Sequence, residues 1–242
     1  MDIAIAQIKS LKGAISSNIE KHIQCIELAH SVKANAIFFP ELSLTGYDAE
    51  LAKKFATTSE DTRLDVFQQL SDQKQITIGV GVPTNTKNGI KISMIIFQPN
   101  AARVTYSKQF LHEDEFPYFE KGDEQLIITI ENKKVIPAIC YESLQINHTD
   151  NAIKLGGEIY LASVADSQKG VDKAFAYYPE IAKKFSIPVL MSNCIGECDT
   201  FMSVGCSAVW NKEGVVLDQL DNKNEGILVF NTETEEVIKK LL

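Results

Sequence analysis

Residues 1–39, MDIAIAQIKSLKGAISSNIEKHIQCIELAHSVKANAIFF, alternate a short β-branched run, a long helical pattern and a second apolar run. Strands are expected at 3–8 and 36–39, with a helix at 17–34 between them. Within that helix Ile19, Ile23, Ile26 and Val32 recur near the 3.6-residue period, so one face should pack on a sheet. Ser16 or Ser17 stands where a cap for the first free N–H groups is needed. A helix at 61–75 and a strand at 76–82 repeat the alternation. The chain is therefore of the α/β class.

From 79 to 107 the pattern becomes three consecutive strands, GVGVP, IKISMIIFQ and ARVTYS, parted by Asn88-Gly89 and Pro99-Asn100 turns. Antiparallel pairing is expected there. A polar stretch at 108–125 precedes strands LIITI and VIPAIC, a helix from about Ser143, strand EIYLASV, a helix at 171–185 and strand PVLMS. Strands near 207–210, 215–218 and 226–230 lead to a short charged tail. No Pro/Gly/Ser-rich linker interrupts the series, so residues 1–242 read as one domain layered helix, sheet, sheet, helix.

The totals narrow the function. With 24 basic against 32 acidic side chains the net charge is -8, which argues against nucleic acid or an anionic membrane as a partner. The first residues lack a basic n-region and a small-residue cleavage site, and no apolar run approaches the roughly 18 residues of a membrane span. A cytoplasmic protein is expected. Five cysteines, an odd number in a chain of this size, suit a reducing compartment with free thiols.

Cys140 ends an apolar strand in VIPAICYES. A strand-to-helix turn there would set its sulfur near free N–H groups that favour a thiolate, and the Tyr141 N–H would be an oxyanion donor. A buried structural cysteine is the plainer alternative. His22 and His30 read as solvated or helix-edge side chains, His148 as directed away from the turn, and His112 as a loop residue that stays open. Cys194, Cys198 and Cys206 have no fourth ligand and no zinc-site spacing, and Cys25 reads as core.

FFPELSLTGYD at 38–48, YSKQFLHEDEFPYFEKGD at 106–123 and AICYES at 138–143 together resemble the three catalytic segments of the nitrilase-like carbon–nitrogen hydrolases. Their order is that of the family, each segment follows a predicted strand, and EIYLASVA, the helix at 171–185, VLMSNCIG and GCSAVWNKEGVVL extend the resemblance over nearly the whole chain. It implies a four-layer αββα sandwich, commonly dimeric or higher, with a small-molecule amide substrate and neither metal nor cofactor. It places the general base on Glu41, the lysine on Lys108 and the nucleophile on Cys140. Glu115, or else Glu113, would be the supporting carboxylate.

Tyr141-Glu142 after the nucleophile is closer to the amidase-like branches than the Trp-Glu of nitrile-cleaving members. An ω-amide or carbamoyl compound is thus expected, with nitrile hydrolysis the alternative. The arginine many relatives carry in the helix before VLMSN is missing, although Asn193 is kept. Tyr47, Asn193 and Asp166 are the expected substrate contacts, and Phe116, Tyr118 and Phe119 could join the pocket or the core. A non-catalytic scaffold and a thiol sensor built on Cys194 and Cys198 are the competing classes. At 242 residues no second synthetase or kinase domain is expected within the chain.

Overall fold

The computed structural model describes residues 1–242. Its first half runs β1 (Asp2–Gln7), α1 (Ile15–Ser31), β2 (Ala36–Phe38), α2 (Ala52–Phe55), α3 (Asp65–Lys74), β3 (Thr77–Asn85), β4 (Ile90–Phe97) and β5 (Val104–Ser107). There follow β6 (Ile128–Ile130), β7 (Lys133–Ile139), α4 (Ile146–Lys154), β8 (Ile159–Val164), α5 (Gln168–Phe185) and β9 (Val189–Asn193). Last come β10 (Ile195–Cys198), β11 (Phe201–Val204), β12 (Ala208–Trp210), β13 (Val216–Gln219), β14 (Gly226–Asn231) and β15 (Val237–Leu241).

Two sheets form, ordered β15-β14-β1-β2-β3-β4-β5 and β13-β12-β9-β8-β7-β6. At the centre of each, β1-β2-β3 and β7-β8-β9 are parallel, and the antiparallel strands lie toward the edges. Strand alternation sorts the side chains into layers. Ile3, Ile5 and Phe38 meet Ile139, Leu161 and Leu190 between the sheets. Ala4, Ala6 and Ile37 turn outward to Cys25, Ile26 and Ala29 of α1. On the far side Ile136, Ala162 and Val189 pack with Tyr178 and Ile181 of α5. The fold is the expected αββα sandwich, and its parallel strands read as continuous apolar runs because both faces are covered. Two hydroxyls cross the central layer: Ser163 donates to the Phe39 carbonyl at 2.7 Å and Ser192 to that of Ala6 at 2.6 Å.

Several boundaries differ from expectation for local reasons. Ser16 and Ser17 lie inside α1, and its entry is fixed instead by Asn18, whose amide exchanges two 2.8 Å hydrogen bonds with the Leu11 backbone. His22 is fully buried, held between the Asn18 carbonyl and Ser43 Oγ. The helix expected at 61–75 opens with a 3₁₀ turn, Thr62–Leu64. Cys140 likewise starts a 3₁₀ turn, and α4 begins only at Ile146. The charged tail is β15, an edge strand with both lysines exposed, whose backbone pairs with β14 while Lys239 forms an ion pair with Asp218 of β13 in the other sheet. The β10–β11 hairpin was not expected at all, since its few residues do not alternate cleanly. No helix is long and apolar enough to cross a membrane.

Candidate active site

Three strand ends converge on one site. β2 runs out through Phe39 and Pro40 to Glu41, β5 delivers Lys108, and β7 delivers Cys140 from the opposing sheet. Lys108 and Glu41 are buried at 0% and 2% exposure, so their charges must be met by protein. Lys108 Nζ donates to Glu41 Oε1 at 2.8 Å and to Glu115 Oε1 at 2.6 Å. Glu115 is further fixed by the Tyr47 hydroxyl at 3.0 Å and by the His112 N–H at 2.8 Å on its second oxygen. Glu115 is thus the carboxylate that reaches Lys108, and Glu113 is exposed.

Cys140 has φ of 48°, the left-handed region that costs a side-chain-bearing residue energy. The turn it opens directs its first N–H groups, that of Tyr141 among them, out of the turn's N-terminal end. Part of the sulfur's surroundings is open to a cavity of about 590 Å³, whose walls include Tyr47, Glu115, Tyr141, Asp166, Lys173 and Phe201. Free N–H groups at the turn are expected to favour a thiolate, but the rest of the surroundings oppose one. Burial, then Glu41 and Asp166, push the thiol well above its ordinary value, against the pull of Lys108.

Glu41 is displaced in the same sense. Burial, opposed by Lys108 and reinforced by Glu115, raises it from 4.5 to about 7, and its Oε2 has no hydrogen-bond partner in the protein. Burial alone would lower Lys108, but the carboxylates of Glu41 and Glu115 and the Cys140 sulfur outweigh it and hold the ammonium well above its ordinary value. The trio therefore rests as ammonium, thiol and a carboxylate able to take a proton near neutrality.

Of the expected substrate contacts, Tyr47 and Asp166 line the cavity. Asn193 does not. Its amide is buried and spent on the Asp166 backbone and the Gly205 carbonyl, so it places Asp166. Phe119 is core, while Phe116 and Tyr118 are exposed outside the cavity lining. Phe201, on the unexpected hairpin, supplies an apolar wall and stands edge-on to Tyr47. His148 bonds Tyr106 and Tyr160, with burial lowering it to about 4, and makes no pair with Cys140. Cys194 and Cys198 are buried with their sulfurs 3.5 Å apart.

Glu142 is the residue that sequence reading passed over. Its Oε1 accepts from the Ile139 N–H and the Tyr106 hydroxyl, both at 2.7 Å, and its Oε2 from the Gln109 N–H at 2.6 Å. One buried side chain thus joins the Cys140 turn to the segment after Lys108. With apolar Ile139 three residues before it, the sequence carries no capping-box pattern to mark it.

Residues 2–239 match the model of the family described as carbon–nitrogen hydrolase. The chain belongs to the carbon–nitrogen hydrolases. Glutamine-dependent NAD(+) synthetases are similar to this hydrolase in sequence. The Acinetobacter baylyi protein is 27% identical over 243 residues, 97% of this chain and 44% of its own. The Aquifex aeolicus protein is 26% identical over 253 residues, all of this chain and again 44% of its own. This hydrolase spans less than half the length of these relatives. Among solved structures, the amidase of Nesterenkonia sp. AN1 superimposes with a TM-score of 0.87 at 17% identity, covering 97% of this chain and 94% of that one. The same fold recurs in a variant of that amidase with acrylamide added at its active-site cysteine, also with a TM-score of 0.87 at 17% identity and the same coverage.

Proposed function

We propose that this carbon–nitrogen hydrolase releases ammonia from the ω-amide of a small amino acid or amino-acid-like compound through a thioester on Cys140. The observation that carries the reading is the buried Glu41–Lys108–Glu115 cluster, whose Glu115 lines the cavity that Cys140 also borders. Glu41, with its raised affinity for a proton, takes the thiol proton as the sulfur attacks the amide carbon. Because the thiol rests protonated, transfer and attack are coupled, with no standing thiolate. Lys108 and the Tyr141 N–H stabilise the oxyanion, and Glu41 then gives its proton to the departing ammonia. Water enters, Glu41 removes a proton from it, and the acid leaves as Cys140 recovers its thiol.

Glu115 and Tyr47 hold Lys108 in place through this cycle. The substrate class is supported by the rest of the cavity, whose lining includes Lys169, Lys173, Asp114 and Asp166 as well as the rings of Tyr47 and Phe201. A ligand with a short apolar stem and both charges suits such walls. The glutamine dependence in the names of the synthetase relatives points the same way.

The test is ammonia release from glutamine, asparagine, butyramide, carbamoyl amines and nitriles, with Cys140→Ala beside the wild type. Turnover by the wild type alone, highest for an ω-amido acid, is the expected result. No ammonia from any compound and no acyl adduct on Cys140 by mass spectrometry would remove the reading.

A further inference from the structure

Asp166, just past β8, is pinned by its backbone. Asn193 accepts from its N–H at 2.8 Å and donates to its carbonyl at 3.2 Å, and Ser203 Oγ and the Val204 N–H reach the same carbonyl. The side chain packs on Gly170, where an added Cβ would lie 2.3 Å from Oδ1. Glycine at 170 is what leaves room for the carboxylate. So placed, Asp166 lines the cavity with Oδ1 3.9 Å from the Cys140 sulfur, its sole donor in the protein. Lys108 and Lys173 act on it only from a distance.

An ionised carboxylate accepts hydrogen bonds and gives none. In a near-attack pose the scissile carbon sits about 3–3.5 Å from the sulfur. A substituent of that carbon therefore falls beside Asp166. We propose that Asp166 accepts an N–H of the scissile amide and so selects primary amides over esters and nitriles, whose reacting carbon bears no N–H. The inference rests on the hydrolase reading above. An ester would set its lone pairs against the carboxylate and leave a largely buried acceptor unmet. The same negative charge also works against the nucleophile, adding to Glu41 in keeping the thiol protonated. Removing it moves two observables in opposite directions.

The experiment compares Asp166→Ala and Asp166→Asn with the wild type. Substrates are an ω-amido acid, butyramide, which has no ammonium group, and the p-nitrophenyl ester of butyric acid. Thiol reactivity is read with methyl methanethiosulfonate, which carries no N–H. Asp166→Ala is expected to lose about 10- to 100-fold in kcat/KM on both amides, as for one hydrogen bond to a charged group, and to stay within about threefold on the ester. Cys140 should react faster in both variants. Asp166→Asn, which keeps an acceptor oxygen, should fall between on the amides. Equal losses on ester and amides, unchanged amides, or a loss confined to the ammonium-bearing substrate would each overturn the assignment. An active wild type with an unchanged Asp166→Ala sinks this inference alone, whereas a wild type that releases no ammonia sinks the parent reading as well.

Discussion

Replacing Glu41 by glutamine should separate stability from chemistry. Charges around Lys108 do not balance, since one ammonium meets two buried carboxylates, Glu41 at 2.8 Å and Glu115 at 2.6 Å. Glu115 has Tyr47 and His112 as further donors, so the surplus falls on Glu41. Burial and that surplus raise it from 4.5 to about 7. A carboxyl whose folded pKa lies above its unfolded value holds a proton that the unfolded chain has released. Its stabilising contribution is full below the unfolded value and is lost as pH rises through the folded one. From pH 5 to pH 8 the loss from Glu41 alone comes to about 2–3 kcal/mol.

Glu41→Gln keeps the shape and an acceptor for Lys108 but cannot titrate, leaving Lys108 and Glu115 as a balanced pair. Its new amide N–H, near the unpartnered Oε2, costs about 1–3 kcal/mol at every pH. Glu142 and Asp166, raised to about 7 and 6, tilt both proteins alike and cancel in the comparison. Urea melts at the two pH values should show the variant gaining about 2–3 kcal/mol on the wild type between pH 5 and 8. Amide hydrolysis should fall about 10²- to 10⁴-fold. Parallel pH profiles for the two proteins would refute the surplus charge on Glu41, and with it the basis for a carboxylate base at neutral pH.

Lys108→Met removes the ammonium between two buried carboxylates and should cost about 3–5 kcal/mol at pH 8. The same melts should show that loss shrinking at pH 5, as Glu41 takes its proton; an equal loss at both would count against its ionisation. Gly122→Ala would set a Cβ 2.0 Å from the Ser107 carbonyl, next to Lys108. It is expected to destabilise by about 1–3 kcal/mol or more in a denaturant melt, and a neutral result would mean that the strand end carrying Lys108 yields freely.

What could be read from the sequence was what is local. Parallel strands such as 3–8 and 159–164 announce themselves as apolar runs, and Glu41, Lys108 and Cys140 sit in strand-end segments that carry a family resemblance. The rest depends on partners far along the chain. β15 reads as a charged tail because its pairing with β14 is a backbone matter to which Lys239 and Lys240 give no clue. His22 reads as a helix-edge residue until Ser43 is seen to meet its ring. Turn geometry at Cys140 speaks only for a thiolate, whereas burial and then Glu41 and Asp166, 99 and 26 positions away in the chain, push the thiol up.

The hydroxyls of Ser163 and Ser192 bear on the chemistry although neither is near the sulfur. Each joins one sheet to a carbonyl of the other, and so indexes the two as dowels index the halves of a mould. Glu41 and Lys108 belong to one half and Cys140 to the other. A slip of one strand residue, about 3.3 Å, is comparable to the gap a thiol proton must cross. The proton's path is thus set by the joinery beneath the site, and drift in that alignment would show as lost turnover in a molecule that still looks folded.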